Sequence, residues 1–270
     1  MQFPNVHTIK YADDTSTYFP LNKTNTKAIH KSKTDVQFEP PEIGQNLITS
    51  CSEWSSQNGM RLNADKTQIL NISLRKQLTI PSPMYIQNPN PVKTVSRARL
   101  HGVTIDEHLN FNEHINKITI SAKRKCHGLL VFKQSGLSQE SLLHLYKTRI
   151  ILSIAHAAPS WYPLIGDTQK EQLEKCQRRA MNIILSVITE YHAQFAEATL
   201  PHPNDYLQHM CHKYMTNVTT NHTHRLFNRL PPTNSNTHST RNKPNIFNLY
   251  FSRCRTNVGK KAIFMNTNYF

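Results

Sequence analysis

Thr8-Ile9-Lys10-Tyr11-Ala12-Asp13-Asp14-Thr15-Ser16-Thr17-Tyr18-Phe19 is the stretch on which the reading of this chain turns. Two adjacent carboxylates, Asp13 and Asp14, sit between short apolar or β-branched runs. That pattern predicts a β-hairpin with the Asp pair at its tip. Like charges this close repel, and a protein holds them together mainly around a divalent cation. Two-metal phosphoryl-transfer sites use such carboxylates to keep ions ~4 Å apart beside the attacking and leaving oxygens. A solvated turn or a helix cap accounts for the same four letters, so the pair needs support from the rest of the chain.

Residues 20–41 are polar and end in Pro40-Pro41, which marks a loop. Ile43, Leu47, Cys51 and Trp54 then recur at helical spacing and predict an amphipathic helix of about four turns. Asn58-Gly59 is a suitable left-handed stop for it. A short strand is expected over Gln68 to Ser73, and another over Met84 to Ile86 inside a proline-rich loop. Val92 to Val95 and Leu100 to Ile105 are expected to pair and close this first unit.

From Asn112 the pattern becomes helical. Ile115, Ile118, Ala122, Cys126 and Leu129 make one stripe, with Lys117, Lys123, Arg124 and Lys125 mostly off it. Ser138 is a plausible N-cap for a second helix bearing Leu142, Tyr146, Ile150 and Ile154, stopped by Pro159. A third helix from about Thr168 carries Leu173, Cys176, Ala180, Ile183 and Val187, and shows Lys175, Arg178 and Arg179 on its other face. Shorter helices are expected from Tyr191 and over Tyr206 to Met215. Residues 216–245 are rich in Asn, Thr and His and read as poorly ordered, and a basic, aromatic-interleaved segment, Ile246 to Phe270, comes after them.

The 270 residues carry a formal net charge of +15, unevenly placed. Residues 1–114 hold 12 Lys/Arg against 10 Asp/Glu, residues 115–200 hold 11 against 6, and residues 201–270 hold 9 against Asp205 alone. Basicity rising along the chain points to a polyanionic partner, most simply nucleic acid, with a solvated basic surface as the bland alternative. Cys51, Cys126, Cys176, Cys211 and Cys254 are scattered and odd in number and form no Cys-x-x-Cys pair, which reads as no disulfide framework and a reducing compartment. An intracellular location, nuclear or cytoplasmic, is expected rather than secretion. The longest apolar stretch, Ile150 to Ile165, is broken by His156 and Pro159 and reads as buried core rather than a membrane span.

Taken in order, these segments resemble the C-terminal half of a reverse transcriptase from a non-LTR (LINE-like, jockey-type) retrotransposon. Tyr11-Ala12-Asp13-Asp14 is similar to the second catalytic palm motif of that family. Trp54, Asn58-Gly59-Met60, Leu62-Asn63 and Lys66-Thr67 resemble the next palm motif, and Gly102-Val103-Thr104-Ile105-Asp106 resembles the primer-grip region. Trp161 and the helix over Leu173 to Ala180 resemble the thumb region and the part of the family that succeeds it, and Arg255 to Lys261 looks like a family tail. The resemblance implies an α/β (α+β) chain in three parts. These are a partial palm over 1–109, a mainly helical thumb-like region over 110–200, and a basic, partly disordered segment over 201–270.

The resemblance also implies roles. Asp13 and Asp14 would hold Mg²⁺, Tyr11 and Ala12 would lie beside the primer end and the incoming nucleoside triphosphate, and Lys66 would protonate the leaving pyrophosphate. A surface lysine after a turn is the plain alternative for Lys66. Gly102 would let backbone approach the primer strand, although His101 stands where relatives carry an apolar residue. RNA template and DNA primer are the implied partners, with no membrane. Fingers and an earlier palm strand with another metal-binding aspartate would precede this hairpin in the family, and only twelve residues precede Asp13 here. The expectation is therefore a truncated polymerase, inactive alone.

Two further patterns stand beside this. Lys123, Arg124, Lys125, Arg178 and Arg179 fit a template–primer groove, or equally a solvated helix face. They allow a noncatalytic nucleic-acid-binding protein derived from the element, and a chain that folds poorly with no selected function is a third reading. His202, His209, His212, His222 and His224 cluster around Cys211 without the spacing of a zinc knuckle or finger, which favours a polar surface over a zinc site.

Overall fold

A computed structural model describes residues 7–11, 14–18, 41–73, 83–87, 90–185 and 202–230. They contain both helices and strands and form two compact units divided between Ser96 and Arg97. Val187, the helix expected from Tyr191 and the segment 231–270 lie outside the described residues.

In the first unit, strands β1 (His7–Tyr11) and β2 (Asp14–Tyr18) pair antiparallel, in a register running from His7 opposite Tyr18 to Tyr11 opposite Asp14. The predicted hairpin is present, with a two-residue connection. Helix α1 (Pro41–Gln57) buries Leu47 and starts on a proline, whose missing N–H is no loss in a first turn. Its end is a Schellman motif. Gly59 has φ +67°, Gly59 N–H reaches Ser56 O at 3.1 Å, and Met60 N–H reaches Ser55 O at 2.8 Å.

The strands after α1 are short. β3 (Gln68–Leu70) pairs in parallel with β6 (Lys93–Val95), and β4 (Tyr85–Gln87) pairs antiparallel with β5 (Asn90–Pro91). The Gln45 amide of α1 exchanges two hydrogen bonds of 2.8 Å with Tyr85 N–H and C=O, doing for β4 what a strand neighbour would do.

The pairing expected between Val92–Val95 and Leu100–Ile105 does not form. β6 goes to β3, and the second stretch folds back on itself as the hairpin of β7 (Arg97–Leu100) and β8 (Val103–Asp106), which belongs to the second unit. His101 and Gly102 have φ +46° and +88°, and two positive φ values are what a two-residue type I′ turn demands.

Asp106 then turns the chain into the helices. One carboxylate oxygen accepts from His108 N–H (3.1 Å) and Asn110 N–H (3.0 Å), and the other from Phe111 N–H (2.7 Å). Helix α2 (Asn112–Gln134) buries Ile115, Ala122, Cys126 and Leu129, as the stripe predicts, and ends in a second Schellman motif with Gly136 at φ +87°. Ser138 caps α3 (Gln139–Leu145), its Oγ accepting from Ser141 N–H at 3.3 Å. The helix runs on through a π-helical stretch, Tyr146–Ile151, into α4 (Leu152–Ile154). It stops there, before Pro159, which sits in the first turn of the short α5 (Ala158–Trp161).

α6 (Asp167–Leu185) runs parallel to α2. Gln169 Nε2 donates to Asn110 O and Asn112 Oδ1 (both 2.8 Å) at the start of α2, Cys126 Sγ lies 3.9 Å from Cys176 O midway, and Lys133 reaches Ile184 O at 3.2 Å near the end. The core of this unit gathers Ile115, Leu142, Tyr146, Ile150, Trp161, Leu173, Met181 and Leu207, all 0–1 % exposed. The last described helix, α7 (Pro203–Thr220), is longer than the expected Tyr206 to Met215 and is pinned to α6 by Asn204 Nδ2 on Glu174 Oε1 (2.6 Å). Residues 216–230, expected to be poorly ordered, complete α7 and add a 3₁₀ turn at Phe227–Arg229.

Candidate nucleic-acid interface

The hairpin places Asp14 on the first residue of β2, exposed and directly across from Tyr11. Ala12 and Asp13 lie outside the described residues. Lys66 is exposed in a turn built by Asn63, whose Oδ1 accepts Lys66 N–H at 3.1 Å and whose C=O accepts Thr67 N–H at 3.0 Å. Among the described residues no hydrogen bond or ion pair joins Lys66 to Asp14. No group of three or more His, Cys, Asp and Glu among them is arranged to hold a metal ion.

Gly102 is at the β7–β8 turn, exposed, with its backbone against a neighbouring side chain. A Cβ there would lie 3.2 Å from His156 Nε2. His156 Nε2 also hydrogen-bonds His101 O at 2.9 Å, and His156 O accepts from Trp161 Nε1 at 3.0 Å. Under the same hairpin, buried His114 takes Thr104 N–H on Nδ1 (3.4 Å) and meets Trp161 edge-on at 5.4 Å between centroids. Burial, with His156 and Lys117 adding positive charge, pushes the His114 pKa down to about 4. The glycine therefore has an internal reason: positive φ and a histidine packed where a side chain would go.

The basic helices are more instructive. Consecutive residues on an α-helix point about 100° apart, so Lys123, Arg124 and Lys125 leave α2 in three directions. Lys123 is exposed, and its charge works against the larger effect of burial on the Cys176 thiol of α6. Arg124 is exposed. Lys125 turns to the other flank, where its Nζ donates to Arg149 O at 2.9 Å. Burial and the Arg149 charge lower its pKa.

Arg178 and Arg179, by contrast, do share a site. They line an open groove of about 670 Å³ between α2 and α6, with Lys133, Lys175, Asn182 and Leu130. Lys133 Nζ donates to Ile183 O and Ile184 O, placing a cation on the carbonyl end of α6, where the helix dipole favours it. Lys175 pairs with Glu171 at 3.0 Å. Beneath the groove, burial raises the pKa of the Cys126 thiol to about 11 and also raises that of Cys176, with Arg179 pulling both the other way. Neither thiol is a reactive group.

Sequence patterns alone do not single out Lys133. The signal for it is its position four residues after Leu129, which continues the buried stripe of α2 toward α6. In the His-rich segment, His202 lies 3.5 Å from Glu174, His222 packs edge-on against Phe227 and His224 against Tyr214, and Cys211 is buried with a pKa pushed up to about 12. No helix of the described residues is long and apolar enough to cross a membrane. In comparisons with family models, curated proteins and solved structures, nothing matches the chain.

Proposed function

We propose that the chain is part of an RNA-directed DNA polymerase of a non-LTR retrotransposon, its first unit a partial palm and its second a thumb-like region that binds template and primer. The observation that carries this reading is the Asp13-Asp14 pair at the closure of a two-residue hairpin, with Asp14 opposite Tyr11. The donor chemistry fits a hard divalent cation, since both side chains offer only carboxylate oxygens. Mg²⁺ bound there would neutralise charge on the transferring phosphoryl group. Asp13 and Asp14 would hold it, Tyr11 would line the primer end, and Lys66 would supply a proton to the pyrophosphate. Two carboxylates hold such an ion weakly, so polymerisation by this chain alone is not expected.

The test reads the metal directly. In a Mn²⁺ titration followed by water-proton relaxation, the chain should bind the ion weakly, and the Asp13→Asn/Asp14→Asn variant should not. Equal binding by the two would remove the hairpin as a metal site and with it the polymerase reading.

A second reading, a noncatalytic nucleic-acid binder, is favoured by the groove of Lys133, Lys175, Arg178 and Arg179. Among the described residues its walls carry no aromatic ring on which a base could stack, so contacts would go to phosphates and be independent of sequence. It predicts salt-dependent binding of an RNA–DNA duplex that is unchanged by the double Asp substitution. Binding that ignores salt would sink it.

A further inference from the structure

On the far flank of α2 two cations, Lys125 and Arg149, come together. Lys125 is half-buried against the π-helical stretch, with its ammonium on Arg149 O at 2.9 Å, and the side chain of that same Arg149 is exposed, its charge adding to burial in lowering the Lys125 pKa. Among the described residues neither cation has a carboxylate within ion-pair distance; the Lys and Arg ion pairs formed are Arg97–Glu113, Lys117–Glu113, Lys170–Asp167 and Lys175–Glu171. Two positive charges held together without a counter-charge are stabilised by an anion. The helix that presents Arg149 is π-wound over six residues, an arrangement that departs from the regular ladder and recurs at functional sites.

We propose that Lys125 and Arg149 form a second phosphate-binding site, which takes a backbone phosphate of nucleic acid on the flank of α2 opposite the groove. Of the α2 residues that line the groove, Leu130 and Gln134 lie about 140° and about 180° around the helix from Lys125, so this site and the α2–α6 groove straddle α2. A guanidinium offers a planar fork to a phosphate, and the neighbouring ammonium adds a point charge. The inference rests on the nucleic-acid reading above and adds to it a contact that the groove does not supply.

The experiment is the salt dependence of binding of the full chain to a fluorescein-labelled RNA–DNA duplex, read by anisotropy over a KCl series. Arg149→Gln should reduce the slope of log K against log salt by about 1, and Lys125→Met should do the same while keeping the packed stem. Arg178→Gln/Arg179→Gln reports the groove independently. A slope unchanged in Arg149→Gln but reduced in the groove variant overturns the second site and leaves nucleic-acid binding standing. If the unsubstituted chain shows no salt-dependent binding, both fall. Arg149 is exposed, so its substitution decides the matter even where Lys125→Met fails to fold.

Discussion

The two units are built on different balances of local and packing forces. Among the described residues of the first, the buried apolar side chains are Leu47, Met84 and Val92, while Ile9, Trp54, Met60 and Ile72 are each about half exposed. Its strands form separate two-stranded sheets, and such pairs are marginal without further packing. The second unit buries a contiguous core from Val103 to Cys211, centred on Trp161 and the parallel pair α2 and α6. In the first unit, single hydrogen bonds such as those of Gln45 and Asn63 set local shape. In the second, packing does.

The sharpest way to break this comparison is to empty each core in turn. Trp161→Ala removes a fully buried ring and should cost ~3–5 kcal/mol, whereas Leu47→Ala should cost ~2 kcal/mol, at the low end for a core truncation. Urea denaturation followed by circular dichroism measures both. Equal losses would mean that the first unit is as well packed as the second. The chain has two tryptophans, Trp54 in one unit and Trp161 in the other, so Trp161→Phe and Trp54→Phe leave a fluorescence reporter in each. The transition seen at Trp161 should fall at higher urea.

A pH effect of similar size is expected from His114 alone. Its folded pKa of about 4 lies below the ordinary value of 6.5, so the unfolded chain binds the proton more tightly. Stability from this group is complete above pH 6.5 and is lost as pH falls through 4, to a total of ~3 kcal/mol. The melting temperature of the chain should drop more steeply across this window than that of His114→Gln. Parallel curves would show that the imidazole is hydrated in the folded state.

How much of this is legible in the sequence depends on the range of the force involved. The β1–β2 hairpin, the end of α1, the start of α2, the Ser138 cap and the α2 stripe are legible, because turn chemistry, capping and periodicity act within a few residues. The pairing of β6 with β3 is not: Val92 to Val95 offers an edge, and nothing local says which strand will take it. Hairpin β7–β8 is misplaced for a local reason. His101-Gly102 marks an I′ turn, yet Leu100, Val103 and Ile105 around it read as one continuous strand. In the candidate interface, Arg178 and Arg179 share a groove because they lie on one open helix flank facing a neighbour. Lys123, Arg124 and Lys125 spread over an arc of about 200° on α2, too wide for one flank, whereas two neighbours such as Arg178 and Arg179 span about 100°.

Glycines sharpen the comparison at smaller energies. Gly102 and Gly59 both have positive φ, but a Cβ at Gly102 would meet His156 at 3.2 Å, and one at Gly59 would meet open space. The left-handed backbone alone costs a side chain ~1–2 kcal/mol. Gly59→Ala should therefore lose about that much, and Gly102→Ala more, because His156 must also give way. A Gly102→Ala/His156→Ala double variant measures the excess by its non-additivity. Additive losses would remove the His156 contact as a reason for the glycine.

Helix capping gives the smallest of these effects and separates local from tertiary stabilisation. Ser138 Oγ accepts Ser141 N–H, one of the amides that a helix start leaves without an intrahelical partner, and the residue is exposed. Ser138→Ala removes that acceptor without opening a cavity, so the loss should be ~1 kcal/mol. Asp at the same position keeps an acceptor and adds a charge favoured at a helix start, so Ser138→Asp should retain most of the stability. Because α3 and the π-helical stretch after it feed Leu142, Tyr146 and Ile150 into the core, the loss should appear in the transition reported by Trp161 and leave that of Trp54 in place. A shift seen equally by both tryptophans would mean that the two units unfold as one, and the contrast between them would then be one of packing alone rather than of independent stability.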